Sequence, residues 1–144
     1  MLQKFREGKS KMKAISSRAT EGLNLGAMMV AADNSGAKIV KLVSVKKAKA
    51  KKGKQVAGKI ADWVKVSVRK GVPDMKGKVF DAVIVRQKKP WRRNTGERVA
   101  FEDNAVAILK DDKGNPKGTQ IKGPIAREVQ ERWISVAKIA SIVY

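Results

Sequence analysis

Cysteine and histidine are both absent from the chain. Without them there are no disulfides, no thiolate or imidazole metal ligands, no Cys or Ser-His nucleophile, and none of the commonest general acid/base side chain. Most enzyme classes lose their central residue in one step, and the cysteine-free composition suits a reducing compartment. Carboxylates are also scarce, with 13 Asp plus Glu against 33 Lys plus Arg, for a formal charge of +20. No apolar run approaches the roughly 18 residues a membrane helix needs, and the amino terminus lacks a signal-peptide apolar region. Aromatics make up only 5% of the residues, few for a surface that stacks on many bases.

What is abundant is positive charge, and a surplus of this size points to a polyanionic partner. Nucleic acid and an anionic membrane both qualify, but a membrane binder needs an amphipathic helix with Trp, Phe and Leu opposite Lys. No stretch of adequate length has that pattern, so nucleic acid is the expected partner. The 144 residues suffice for one domain with a modest core.

Residues 1–22, "MLQKFREGKSKMKAISSRATEG", are basic and poor in periodic apolar positions. They read as an arm that orders only on a partner, or as a plain unstructured tail. Residues 23–144 read as a single domain of short β-segments separated by turn chemistry, the signature of a barrel or sandwich. "AMMVAA" is followed by the turn "DNSG", then by the strand "AKIVKLVSVK". In "DWVKVSVRK" the alternation places Val64, Val66 and Val68 on one face and Lys65, Ser67 and Arg69 on the other. "VFDAVIVR" has a continuous apolar run, as expected of a strand buried on both sides or at a closing seam. Only the carboxyl end looks helical: Gly123 and Pro124 offer a helix entry, Arg127 with Glu131 and Glu128 with Arg132 fall at i,i+4 spacing, and Val129, Trp133, Val136 or Ala137, and Ala140 form an apolar stripe.

Two cationic elements stand out. "KKAKAKKGK" contributes Lys46, Lys47, Lys49, Lys51, Lys52 and Lys54, compact charges on flexible stems suited to tracking phosphates, or else a solvated loop. "RQKKPWRRNTGERVAF" interleaves cations with an aromatic. Arg86, Arg92 and Arg93 offer bidentate phosphate contacts, Lys88 and Lys89 add point charges, and Trp91 is placed to stack on a base. The alternative for Trp91 is a core residue with solvated charges around it. Glu102 and Asp103 in "FEDNA", and the pair Asp111 and Asp112, read as turn carboxylates with local partners and not as a metal site. No P-loop, dinucleotide fingerprint, carboxylate dyad or nucleophile–base pair is present, so no enzymatic activity and no cofactor are expected.

"VAADNSGAKIV", "VRKGVPDMKGKVFDAVIVRQKKPWRR", "GERVAFEDNAVAIL" and "PKGTQIKGPIAREV" together resemble the universal large-subunit ribosomal protein fourteen family, in its archaeal and eukaryotic branch. Ala82 to Leu109 looks like the family signature, with Asn-Thr-Gly at the turn and then Phe101, Asn104 and Val106. The resemblance runs from about Leu23 to Tyr144; Met1 to Gly22 and Lys46 to Lys54 depart from the family core. It implies a mainly β fold: a five-stranded OB-like β-barrel with a projecting β-ribbon and a small C-terminal helical region. It also implies a structural constituent of the large ribosomal subunit, in the cytoplasm, that binds large-subunit rRNA and bridges to small-subunit rRNA. The implied protein neighbours are large-subunit protein three, an archaeal twenty-four-e type protein and the anti-association initiation factor six. Arg127, Arg132 and Lys138 are the expected protein- and bridge-contact residues. The competing reading is an extraribosomal OB-type regulator of single-stranded RNA, which predicts aromatics at alternating strand positions; the barrel strands offer Trp63, Phe80 and Phe101 and little else.

Overall fold

A computed structural model of the chain describes residues 19–46, 48–50 and 52–144. In chain order the elements are β1 (Leu23–Asn24), β2 (Met28–Ala31), β3 (Ala37–Val45), β4 (Ala57–Gly58), β5 (Trp63–Gly71), β6 (Val79–Arg86), β7 (Trp91–Arg92), β8 (Arg98–Val99), β9 (Ala105–Ile108), β10 (Ile121–Ile125), α1 (Arg127–Arg132), α2 (Ile134–Lys138) and β11 (Ala140–Val143). Five strands close a barrel in the order β2-β3-β5-β6-β9. The seam is the parallel pair β2–β9, Val30 opposite Ala105 and Ala31 opposite Val106; the other four pairings are antiparallel. Closure removes the exposed sheet edges that an open β-sheet of this size would leave.

The alternation in β5 is realised as expected. Val64, Val66 and Val68 are fully buried, while Lys65 and Arg69 are exposed. The apolar run of β6 is buried on both faces: Ala82, Val83, Ile84 and Val85 lie between the barrel interior and the carboxyl-terminal segment, which docks through Ala126 N donating to Val85 O. At the "DNSG" turn, Asp33 accepts from Ser35 Oγ and from the backbone N–H of Ile108, so the turn is tied to β9.

The carboxyl end differs from the expected helical region. Gly123 and Pro124 lie within β10 and not at a helix entry; the chain forms β10, two short helices, and then β11 parallel to β10. Helix α1 stops at Trp133 (φ −123°, ψ 77°). That residue turns inward, packs edge-on against Trp63 at 6.1 Å, and donates Nε1–H to Ala61 O at 2.9 Å. The apolar stripe itself is real, since Val129, Trp133 and Val136 are all buried. The anticipated i,i+4 ion pairs give way to longer-range ones, Glu128 with Arg93 and Arg132 with Asp62.

Residues 19–22, read from the sequence as the end of the arm, are attached to the barrel. Ala19 is buried, Thr20 O accepts from Gln87 Nε2, and Gly22 N donates to Gly58 O. The rest of the expected arm lies outside the described residues.

Candidate nucleic-acid interface

The basic stretch after β6 becomes a ribbon. Strands β7 and β8 pair antiparallel, Trp91 opposite Val99 and Arg92 opposite Arg98, with Arg93 N donating to Glu97 O and Gly96 N to Arg93 O closing the turn. Gly96 has φ +90°, a conformation the tight turn requires and other residues resist. In a strand successive side chains point to opposite faces, and here that rule sorts the cations. Trp91 and Arg93 turn toward the body of the protein, and Arg92 turns away.

Trp91 is 1% exposed and donates Nε1–H to Glu128 Oε1 at 3.1 Å, with its ring 5.8 Å from that of Phe101. An indole so enclosed has no face to offer a base, so the expected stacking role is replaced by a core one. Arg93 is also turned inward. Its Nε donates to Glu128 Oε1 at 2.9 Å and its Nη1 to the backbone carbonyl of Tyr144 at 2.7 Å, and both ion-pair partners are 8% exposed. Arg86 makes a bidentate contact with Asp103 (2.9 and 3.2 Å) and caps the carbonyls of Lys122 and Pro124 through Nη1. Arg86 and Arg93, expected to hold phosphates, are therefore internal braces. Asp103 of "FEDNA", expected to pair locally within its turn, instead takes Arg86, 17 positions away.

Lys88, Lys89 and Arg92 are exposed, and none is ion-paired among the described residues. Lys88 N donates to Asn104 Oδ1, which fixes the backbone where the lysines leave the barrel. Arg98, exposed on β8, joins this set; the sequence reading overlooked it. The signal was available, because antiparallel pairing across "NTG" sets "ERV" against "WRR".

In the lysine loop, Lys49, Lys52 and Lys54 are exposed, while Lys47 and Lys51 lie outside the described residues. Lys46 is different. Its ammonium is 2.7 Å from Asp81 Oδ2, 3.8 Å from Asp112 Oδ1 and 3.8 Å from the centre of the Trp63 ring. Its ammonium is thus engaged within the protein by Asp81, Asp112 and the Trp63 ring, unlike the exposed Lys49, Lys52 and Lys54. Of the C-terminal cations, Arg127 and Lys138 are exposed, and Arg132 is half-buried against Asp62 at 3.6 Å.

Burial alone would raise the Asp81 carboxyl, but the Lys46 hydrogen bond and charge, with help from Asp112 and Lys65, hold it below its ordinary 3.8. A depressed carboxyl contributes stability that is present above the unfolded pKa and lost as pH falls through the folded one. Asp81→Asn is therefore expected to destabilise the fold near neutrality, and its deficit relative to the wild type shrinks below about pH 3.8. Parallel thermal denaturation from about pH 5 to about pH 1 tests this; a deficit independent of pH would contradict it. Burial raises Asp33 and Asp62 above 3.8, so their ionisation with rising pH opposes folding and partly offsets the Asp81 contribution.

By fold and charge the molecule is a closed five-stranded β-barrel protein with a cationic surface built on a braced ribbon and a lysine loop. The family model for ribosomal protein L14p/L23e matches residues 22–144. The chain is 58% identical to the large ribosomal subunit protein uL14 of Nanoarchaeum equitans over 132 residues, 92% of this chain and 99% of that one. Over the same shares it is 48% identical to uL14 of Methanothrix thermoacetophila and 46% identical to uL14 of Halobacterium salinarum. The chain belongs to the ribosomal protein L14p/L23e family.

Proposed function

We propose that the chain is a structural component of the large ribosomal subunit that holds large-subunit rRNA through Lys88, Lys89, Arg92 and Arg98, with Lys49, Lys52 and Lys54 as a second contact set. The large-subunit placement rests on the family and on the names of its relatives. The observation that carries the RNA contact is the sorting of one cationic run into internal braces and unpaired outward charges. Those outward charges repel one another until phosphates neutralise them, and the counterions released from RNA favour assembly. Of the aromatic side chains on described residues only Tyr144 is exposed; the others are buried or half-buried. That favours backbone contacts to folded RNA over base stacking by a single-strand regulator.

On this reading the protein scaffolds and does not catalyse. Arg127 and Lys138, on α1 and α2 beside the exposed Ile134, form the face assigned to small-subunit rRNA bridges and protein neighbours. Arg132 supports that face from within. Large-subunit protein three, a twenty-four-e type protein and the anti-association initiation factor six are the partners proposed for the assembled particle.

The test is the salt dependence of binding to protein-free large-subunit rRNA. Combining Lys88→Gln, Lys89→Gln and Arg92→Gln is expected to lower the log–log slope by about 1.4–2.7, at about 0.7–0.9 for each of two to three phosphates no longer neutralised. An unchanged slope in a folded variant would remove the ribbon from the interface.

A further inference from the structure

The ribbon register places Arg92 directly opposite Arg98. Pairs in an antiparallel ribbon alternate between hydrogen-bonded and non-hydrogen-bonded, and side chains approach more closely in the latter. Arg93 N donates to Glu97 O, which makes that neighbouring pair the hydrogen-bonded one and leaves Arg92 and Arg98 in the closer arrangement. Their Cβ atoms are then separated by about 4.5–5.5 Å. Like charges in this position destabilise a ribbon unless something lies between them.

Nothing within the described protein neutralises the pair. Both arginines are exposed and neither has an ion-pair partner among the described residues. Glu97, next to Arg98 in sequence, is paired with Arg93 across the ribbon and so belongs to the opposite face. That opposite face is anchored, with Trp91 and Val99 buried and Arg93 held by Glu128. Two guanidinium forks therefore project together from a ribbon whose other side is fixed. Planar forks suit the oxygens of a phosphate better than lysine ammonium groups do.

We infer that Arg92 and Arg98 form a clamp for one backbone phosphodiester of structured RNA, shared between the two guanidinium groups. The inference rests on the RNA-binding reading above and deepens it, because it fixes the stoichiometry: two arginines, one phosphate. Arg93 is excluded from the clamp and acts as a brace for the ribbon.

Arg92→Gln, Arg98→Gln and the double variant, each in the full chain, would be titrated with protein-free large-subunit rRNA across a salt series. Thermal denaturation would check that all three fold; both side chains are exposed, so no loss is expected, and relief of the opposed like charges should raise stability slightly. A shared phosphate predicts that the double variant loses about 0.7–0.9 of log–log slope in total, with affinity losses well short of additive. A total loss of about 1.4–1.8 with additive affinities would mean two separate phosphates and would overturn the clamp while sparing the ribbon as an RNA contact. An unchanged slope would overturn the clamp, and the RNA reading would still stand if Lys88→Gln and Lys89→Gln lowered it. Wild-type protein that bound with no salt dependence would defeat the RNA reading itself.

Discussion

Glu128→Ala is expected to destabilise the protein by about 3–5 kcal/mol, the usual result of removing one partner from a buried ion pair. Glu128 and Arg93 are each only 8% exposed, so the truncated pair leaves a guanidinium enclosed with the Tyr144 carbonyl as its remaining hydrogen-bond acceptor. The same carboxylate accepts from Trp91 Nε1, and that donor would be orphaned too. Glu128→Gln retains a neutral acceptor for the indole and loses the charge, so it should fall between wild type and alanine. Replacing Arg93 by Met together with Glu128 by Leu should cost less than Glu128→Ala, because no unpaired charge remains. Urea denaturation with unchanged m-values provides the measurement. A loss for Glu128→Ala below about 1 kcal/mol would show that the pair behaves like a surface one.

The second large effect is expected at Arg86. This side chain is 9% exposed and joins three elements: β6 at its own end, the segment before β9 through Asp103, and β10 through the carbonyls of Lys122 and Pro124. Arg86→Met keeps the aliphatic stem and strips every one of these bonds, at an expected cost of about 2–4 kcal/mol. The figure sits below that for Glu128 because Asp103 is 41% exposed and water recovers part of its loss. Arg86→Lys should rescue little, since one ammonium cannot reproduce the fork that reaches a carboxylate and two carbonyls at once. Gly123→Ala would strike the same contact from the other side. A Cβ there would lie 2.7 Å from Arg86 Nη1, at a residue with φ +80°. A lysine variant as stable as wild type would contradict the bracing role.

Both residues illustrate what local sequence conceals. Arg86, Lys88, Lys89, Arg92 and Arg93 sit in one cationic run, and composition treats them alike. Their acidic partners lie elsewhere: Asp103 is 17 positions from Arg86, and Glu128 is 35 from Arg93. No short-range spacing rule pairs residues that far apart. The part that could be read was the alternation within "WRR", which separates Trp91 and Arg93 from Arg92 once the turn at "NTG" is accepted as a ribbon. At the carboxyl end, Gly123-Pro124 suits a helix entry equally well as a bent strand, and the choice was made by the parallel pairing of β10 with β11, which no local pattern encodes.

The barrel was legible for the opposite reason. Val64, Val66 and Val68 alternate with polar residues over a length that only a half-buried strand explains, and the β6 run is too short and too apolar for a surface helix. Turn residues then separated the strands at the spacing of a closed sheet, and the family motifs supplied the strand count. Which strands meet at the seam was not legible, because the parallel β2–β9 pair joins segments more than seventy residues apart.

The central claim is that the outward cations of the ribbon bind this protein into the large subunit. It is tested most directly by sedimenting cell extracts through high-salt sucrose gradients, following wild type and a Lys88→Glu, Lys89→Glu, Arg92→Glu variant side by side. The account predicts that wild type stays with large subunits and whole ribosomes, while the folded variant is displaced to the top of the gradient. Wild type at the top, or a variant that co-sediments as fully as wild type, would contradict it.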